Sequence, residues 1–60
     1  MRYAVRLSPQ AGYLTSVDER GNFHTTPLIE DACEFSLATA ELCQAALHQA
    51  GYTQATIELL

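Results

Sequence analysis

The sequence contains no lysine and no tryptophan, and its fixed positive charge is limited to Arg2, Arg6 and Arg20. Proteins that hold nucleic acid neutralise phosphates with clustered lysines and arginines. Two arginines on one short segment supply no such cluster, so direct nucleic-acid binding is not expected. No apolar run approaches the roughly 20 residues of a membrane-spanning helix. The opening MRYAVRLSPQ alternates between apolar and polar residues where a secretory signal would be continuously apolar, and a cytoplasmic location follows as the expectation. Glycine-rich phosphate loops, a nucleophile elbow and a paired-histidine helix motif are all missing. A chain this short also offers little depth from which to exclude water. Neither catalysis nor a cofactor is expected.

Cysteine is sparse. Cys33 and Cys43 do not amount to the disulfide framework of a small secreted domain. They read as two reduced core thiols, neighbours if the chain doubles back at Ser36, with a disulfide between them as the alternative. With His24 and His48 they would complete a set of four zinc ligands. The closely spaced pairs of a structural zinc site are absent, however, and no metal is expected.

What is present is a single domain of 60 residues, 48% hydrophobic. Much of that fraction is alanine, so the core is thin, and a domain of this size buries only about 60% of its unfolded surface. RYAVRL alternates, with Tyr3, Val5 and Leu7 on one face and Arg2, Ala4 and Arg6 on the other. This is the pattern of a strand. SPQAG reads as a turn, YLTSV as a second strand, DERGN as a turn in which Gly21 and Asn22 tolerate left-handed backbone, and FHTT as a third strand ended by Pro27. LIEDACEF reads in two ways: one helical turn at Leu28 to Asp31 before a short extended piece at Cys33 to Phe35, which is favoured, or an irregular edge.

Ser36 is a good N-cap for the helix LATAELCQAALHQA. Gly51 would end it, with Tyr52 supplying the apolar contact that accompanies such stops. The helical wheel puts Ala40, Cys43, Ala46, Leu47 and Ala50 on a buried face and Glu41, Gln44, His48 and Gln49 on the polar one. TQATIELL alternates again, with Ala55, Ile57 and Leu59 inward. The expected fold is α+β, in the order β-β-β-α-β: a small antiparallel sheet with one amphipathic helix on one face. The second face is then solvated or covered by another molecule. Leu14, assigned to that second face beside Gly12 and Ser16, is left without a home, as are Leu42 and Leu60. All three are candidates for an apolar interface, a homodimer among them.

Charge is segregated along the chain. Residues 1 to 17 carry two arginines and no acid, whereas all seven acids follow, for a net charge of −4. Five of them fall between Val17 and Phe35: Asp18, Glu19, Glu30, Asp31 and Glu34. Acids of this kind keep a small protein soluble. They also complement a basic partner protein, speeding encounter and setting orientation. With Arg20 as an added hydrogen-bonding group, these residues form the candidate partner-binding set.

Two resemblances bear on the partner. MRYAVRLSPQAGYLTSV, an aromatic-alternating strand, a turn and a Gly-aromatic pair, resembles the first hairpin of HicB-type antitoxins. That family runs β-β-β-α-β and neutralises a small RNA-cleaving toxin. The likeness covers about a third of the chain and stops at VDERGNFHTT, where the family has Pro-Asp and Pro-Gly segments. ACEFSLATAELCQAALHQAGYTQATIELL, about half the chain, is similar to small phage and prophage proteins with a Phe before the capping Ser, an alanine-rich helix and a Gly-Tyr stop. Known roles among those include inhibition of host defence by anti-CRISPR proteins. The resemblances imply a non-enzymatic inhibitor in the cytoplasm of a bacterial host. It would block a basic, nucleic-acid-handling complex or nuclease by occlusion. The alternatives are an antitoxin subunit and a homo-oligomeric structural module.

Overall fold

A computed structural model describes all 60 residues. The alternating segments form β1 (Tyr3–Ser8), β2 (Gly12–Val17) and β3 (Phe23–Thr26). After a 3₁₀ turn at Ile29–Asp31 come the helix α1 (Leu37–Gln49) and the last strand β4 (Thr56–Leu59). The four strands make one sheet in the order β3-β2-β1-β4, every neighbouring pair antiparallel. The fold is therefore α+β with the β-β-β-α-β order that the sequence pattern implies.

Two hairpins set the geometry. In the first, Pro9 to Ala11 form the turn, and Gly12 takes φ +86° at the head of β2. A β-carbon on Gly12 would meet the Thr26 carbonyl oxygen at 2.5 Å, so this position needs both glycine's backbone freedom and its lack of a side chain. The turn is accompanied by a register irregularity between Arg6 and Ser8, with Arg6 paired to Tyr13. Directly opposed residues share a face of the sheet. Tyr13 therefore lies with Arg6 on the outer face, and Leu14 turns inward with Val5.

This corrects the placement of Leu14 expected from its sequence. Leu14 is only 2% exposed and belongs to the core with Val5, Leu7, Ala40, Leu47 and Ala55. Tyr3, Phe23, Phe35, Cys43 and Ile57 pack around that cluster. The parity of YLTSV is fixed by the bulged turn before it, which its own alternation does not reveal.

A second irregularity falls in β2 between Leu14 and Ser16, opposite β3. Beyond it the first and second strands part, and a later segment enters between them. The Cys33 N–H donates to the Leu14 carbonyl at 3.0 Å, and Phe35 exchanges two backbone hydrogen bonds of 2.8 Å with Tyr3. The extended piece expected at Cys33 to Phe35 thus exists, as a stitch joining β1 to β2 where they separate.

Local chemistry fixes both ends of α1. The Ser36 hydroxyl accepts from the Thr39 N–H at the amino end. At the other end Gly51 adopts φ +103°, the Tyr52 N–H donates to the Leu47 carbonyl and the Gly51 N–H to that of His48. This is the paired pattern of a Schellman stop. The apolar contact of Tyr52 is with Phe23, edge to face at 5.7 Å between ring centres. It ties the end of the helix to the start of β3.

The buried stripe of α1 is rotated from the one the wheel suggests. Ala40 and Leu47 are buried and Cys43 and Gln44 half-buried, whereas Ala46 and Ala50 are exposed. Gln44 is drawn inward because its side-chain amide donates to the Ala55 carbonyl at 2.9 Å, and the His48 ring lies 3.1 Å from the same oxygen. Both side chains occupy an acceptor that the turn before β4 leaves open. The outer face of the sheet is partly closed by the protein itself. The Arg6 guanidinium sits 4.9 Å from the centre of the Tyr13 ring, bonds its hydroxyl, and lies 3.5 Å from Glu58. Ala4 is fully buried in the same strand row.

Candidate functional site

The acidic residues fall on two segments that flank the edge strand β3. Asp18 and Glu19 belong to the turn entering it, and Glu30 and Asp31 to the 3₁₀ turn that follows it. Four residues of strand, about 13 Å, separate the two. All five carboxylates of the sequence-derived set, with Arg20, are exposed.

Their surroundings divide them. Asp18 is a turn-forming residue. One carboxylate oxygen accepts the backbone N–H groups of Arg20 and Asn22, both at 2.9 Å. The other accepts the Asn22 side chain at 3.2 Å and lies 3.4 Å from the His24 ring. These bonds, that of the Asn22 backbone foremost, hold the Asp18 carboxyl below its ordinary pKa by favouring the charged form. Asn22 keeps ordinary backbone angles, and only Gly21 in this turn takes positive φ. Glu34 is engaged as well, with Arg2 at 2.6 Å.

The other acids, Glu58 apart, are unmatched. Glu19, Glu30, Asp31 and Glu41 make no ion pair. Two of the three arginines are taken up, Arg2 by Glu34 and Arg6 by Glu58, leaving Arg20 as the one arginine without a carboxylate partner. The Tyr13 hydroxyl, with Glu58 beyond it, raises the pKa of Arg6 further above its already high value. The internal pairs are therefore basic-plus-acidic, and the charge left facing solvent is acidic. Sequence reading of charge runs missed this partition, since both pairs join residues far apart in the chain.

Of the three apolar candidates, Leu42 (72% exposed) and Leu60 are on the surface and Leu14 is not. Leu42 and Leu60 belong to a larger set of exposed apolar side chains that includes Met1, Val17, Leu28, Leu37, Tyr52 and Leu59.

Chemistry is harder to place. The one recess, about 170 Å³, is lined by Leu7, Ser8, Gly51, Tyr52, Thr53 and Gln54. It contains no carboxylate, histidine or cysteine, and ligand pockets usually run from about 300 Å³ upward. Cys33 and Cys43 are free thiols, each half-buried. Burial pushes the Cys43 thiol up, and the nearby charge of Cys33 adds to the effect. No three histidine, cysteine or acidic side chains gather as metal ligands would. No helix is long and apolar enough to cross a membrane. Set against family models, curated proteins and solved structures, the chain matches none of them.

Proposed function

We propose that the protein works by binding another macromolecule, and that Glu19, Glu30 and Asp31 are the residues that meet it. The partner in this reading is a basic protein complex or nuclease that handles nucleic acid. The chain occludes it, in the manner of a small phage or mobile-element inhibitor. The supporting observation is the charge partition: internal ion pairs consume two arginines and leave unmatched carboxylates at both ends of the β3 edge. A surface of that kind competes with phosphate for lysines and arginines, and complementary potentials act chiefly on association rate. Asp18 and Glu34 serve the fold first in this reading, the one shaping its turn and the other holding Arg2.

The test uses the chain immobilised beside a variant carrying Glu19→Lys, Glu30→Lys and Asp31→Lys. A nucleic-acid-handling complex retained from bacterial lysate by the first should associate with the second at least about tenfold more slowly at low salt. The salt dependence of its association should also flatten. Equal retention and equal rates for both chains would sink the proposal.

A further inference from the structure

We propose that Cys33 and Cys43 form a reversible oxidation site, at which a small-molecule disulfide converts the two thiols into one bond that fastens the Cys33–Phe35 stitch to α1. The faces of the stitch come first. Tyr3 packs against the core, so its neighbour Arg2 belongs to the outer face of the sheet. Glu34 meets Arg2 there, at 2.6 Å. Successive side chains of an extended segment point to opposite faces. Cys33 and Phe35 therefore both point to the helix side, and Phe35 packs against the core beside Tyr3.

Chain direction fixes the level of each thiol. Phe35 pairs antiparallel with Tyr3, so the stitch descends the sheet as β1 climbs it. β4 also descends, from Thr56 opposite Arg6 to Leu59 opposite Tyr3. The helix between them climbs from Ser36 to Gly51, and its upper end lies by the recess that Gly51 and Tyr52 share with Leu7 and Ser8. Cys33 stands three residues before the corner at Ser36 and Cys43 seven after it. At roughly 3.3 Å per strand residue and 1.5 Å per helix residue, both lie about 10 Å above that corner. The flank of the helix agrees. Gln44 and His48 reach the Ala55 carbonyl, so their side of α1 is turned to β4. Ala40 and Leu47 face the sheet and are fully buried. Cys43 lies about 60° from Ala40 around the helix, on the side opposite Gln44. That side overlies the seam between β1 and β2, where the Cys33 N–H meets the Leu14 carbonyl. The small side chain of Ala40 lets the helix sit close to the sheet there. The charge of Cys33 is felt at Cys43, as two neighbouring thiols require.

Both thiols are free and only half-buried, so a small oxidant reaches them. Burial raises the Cys43 thiol, which leaves Cys33 to react first. Cys33 gives up its proton, and its sulfur attacks one sulfur of the small disulfide. The S–S bond of the oxidant breaks, and the departing half takes up a proton as a thiol. Cys43 then gives up its proton and attacks the Cys33 sulfur of the mixed disulfide, and the second half leaves as a second thiol. Two protein thiols are oxidised and one small disulfide is reduced to two thiols. The new bond closes a short loop around the Ser36 corner and restricts the unfolded chain. In the folded chain it holds to α1 the segment that joins β1 to β2, so the oxidised form resists opening at the centre of the sheet.

The test equilibrates the full chain with mixtures of oxidised and reduced glutathione, in native buffer and in denaturing urea, and reads the products by mass spectrometry. The folded chain is expected to lose about 2 Da as one intramolecular bond. Its ratio of bridged to reduced chain should exceed that in urea at least about tenfold at the same glutathione ratio, because the fold holds the two thiols together. The bridged chain should melt at least about 5 °C above the reduced one, and dithiothreitol should reverse both changes. Cys33→Ser and Cys43→Ser should take up one glutathione each and show no such rise. The comparison of folded with unfolded parent stands whether or not the serine variants fold. A folded chain that ends with a glutathione on each cysteine, a pair bridged no more readily in native buffer than in urea, a bridged chain that melts no higher than the reduced one, or a serine variant that gains as much would overturn the proposal.

Discussion

Leu14 shows what one side chain contributes in a core this thin. It is among the largest fully buried side chains, with Leu47 and Val5. Truncating a buried leucine removes its transfer energy and leaves a cavity, at a cost of about 2–5 kcal/mol. Leu14→Ala should therefore unfold far more readily in urea than Leu42→Ala, whose side chain is already in water. Equal midpoints for the two variants would contradict the inward placement of Leu14. Alternation within YLTSV could not supply that placement, because its parity is inherited from the bulged turn at Ser8 to Gly12. Asp18 carries a pH signature. Its carboxyl is held below the ordinary value in the folded state. Its contribution is therefore full above the unfolded pKa of about 3.9 and is lost as pH falls through the lower folded value. Asp18→Ala should be less stable than the parent at pH 7, and the gap in thermal midpoint should close on acidification below about pH 4. A gap that persists unchanged into strong acid would rule out this role for the carboxylate.

Among the elements, the two ends of α1 were legible because capping is local. Ser36 and Gly51–Tyr52 hold within a few residues all the groups they satisfy. The rotation of the helix was not, since it depends on the Ala55 carbonyl, an acceptor supplied from beyond the helix. The same division separates the glycines. Gly12 and Gly51 both take positive φ, but only Gly12 lies against another backbone. Gly51→Ala should cost about 1 kcal/mol, the ordinary penalty for a left-handed residue. Gly12→Ala adds a clash with Thr26 that the β2–β3 ladder cannot relieve without moving, and its loss should be at least twice as large by chemical denaturation. Similar losses at both sites would mean that the close approach of Thr26 to Gly12 is not held in solution.

For the whole molecule, strand number, chain order and the single covering helix follow from alternation and turn chemistry. The surface does not follow so simply. Net charge says the protein is acidic, but the partition into matched arginines and unmatched carboxylates needs Arg2 beside Glu34 and Arg6 beside Glu58, neighbours only after folding. The apolar surface was likewise only partly readable. Leu42 and Leu60 could be picked out as unburied, whereas Leu59 looks like core until β4 is seen to be an edge.

The stitch formed by Cys33 to Phe35 also bears on the order of assembly during synthesis. A chain emerging amino end first brings all three opening strands out before Phe35 follows. Until then the backbone of Tyr3 faces a gap in the middle of the sheet, where a rim would do less harm. The amino-terminal half can curl into hairpins as it appears, but it closes only when later residues thread back into it. A released chain truncated before Phe35 should for that reason be open to proteases at β1, the strand that lies between β2 and β4 in the finished molecule.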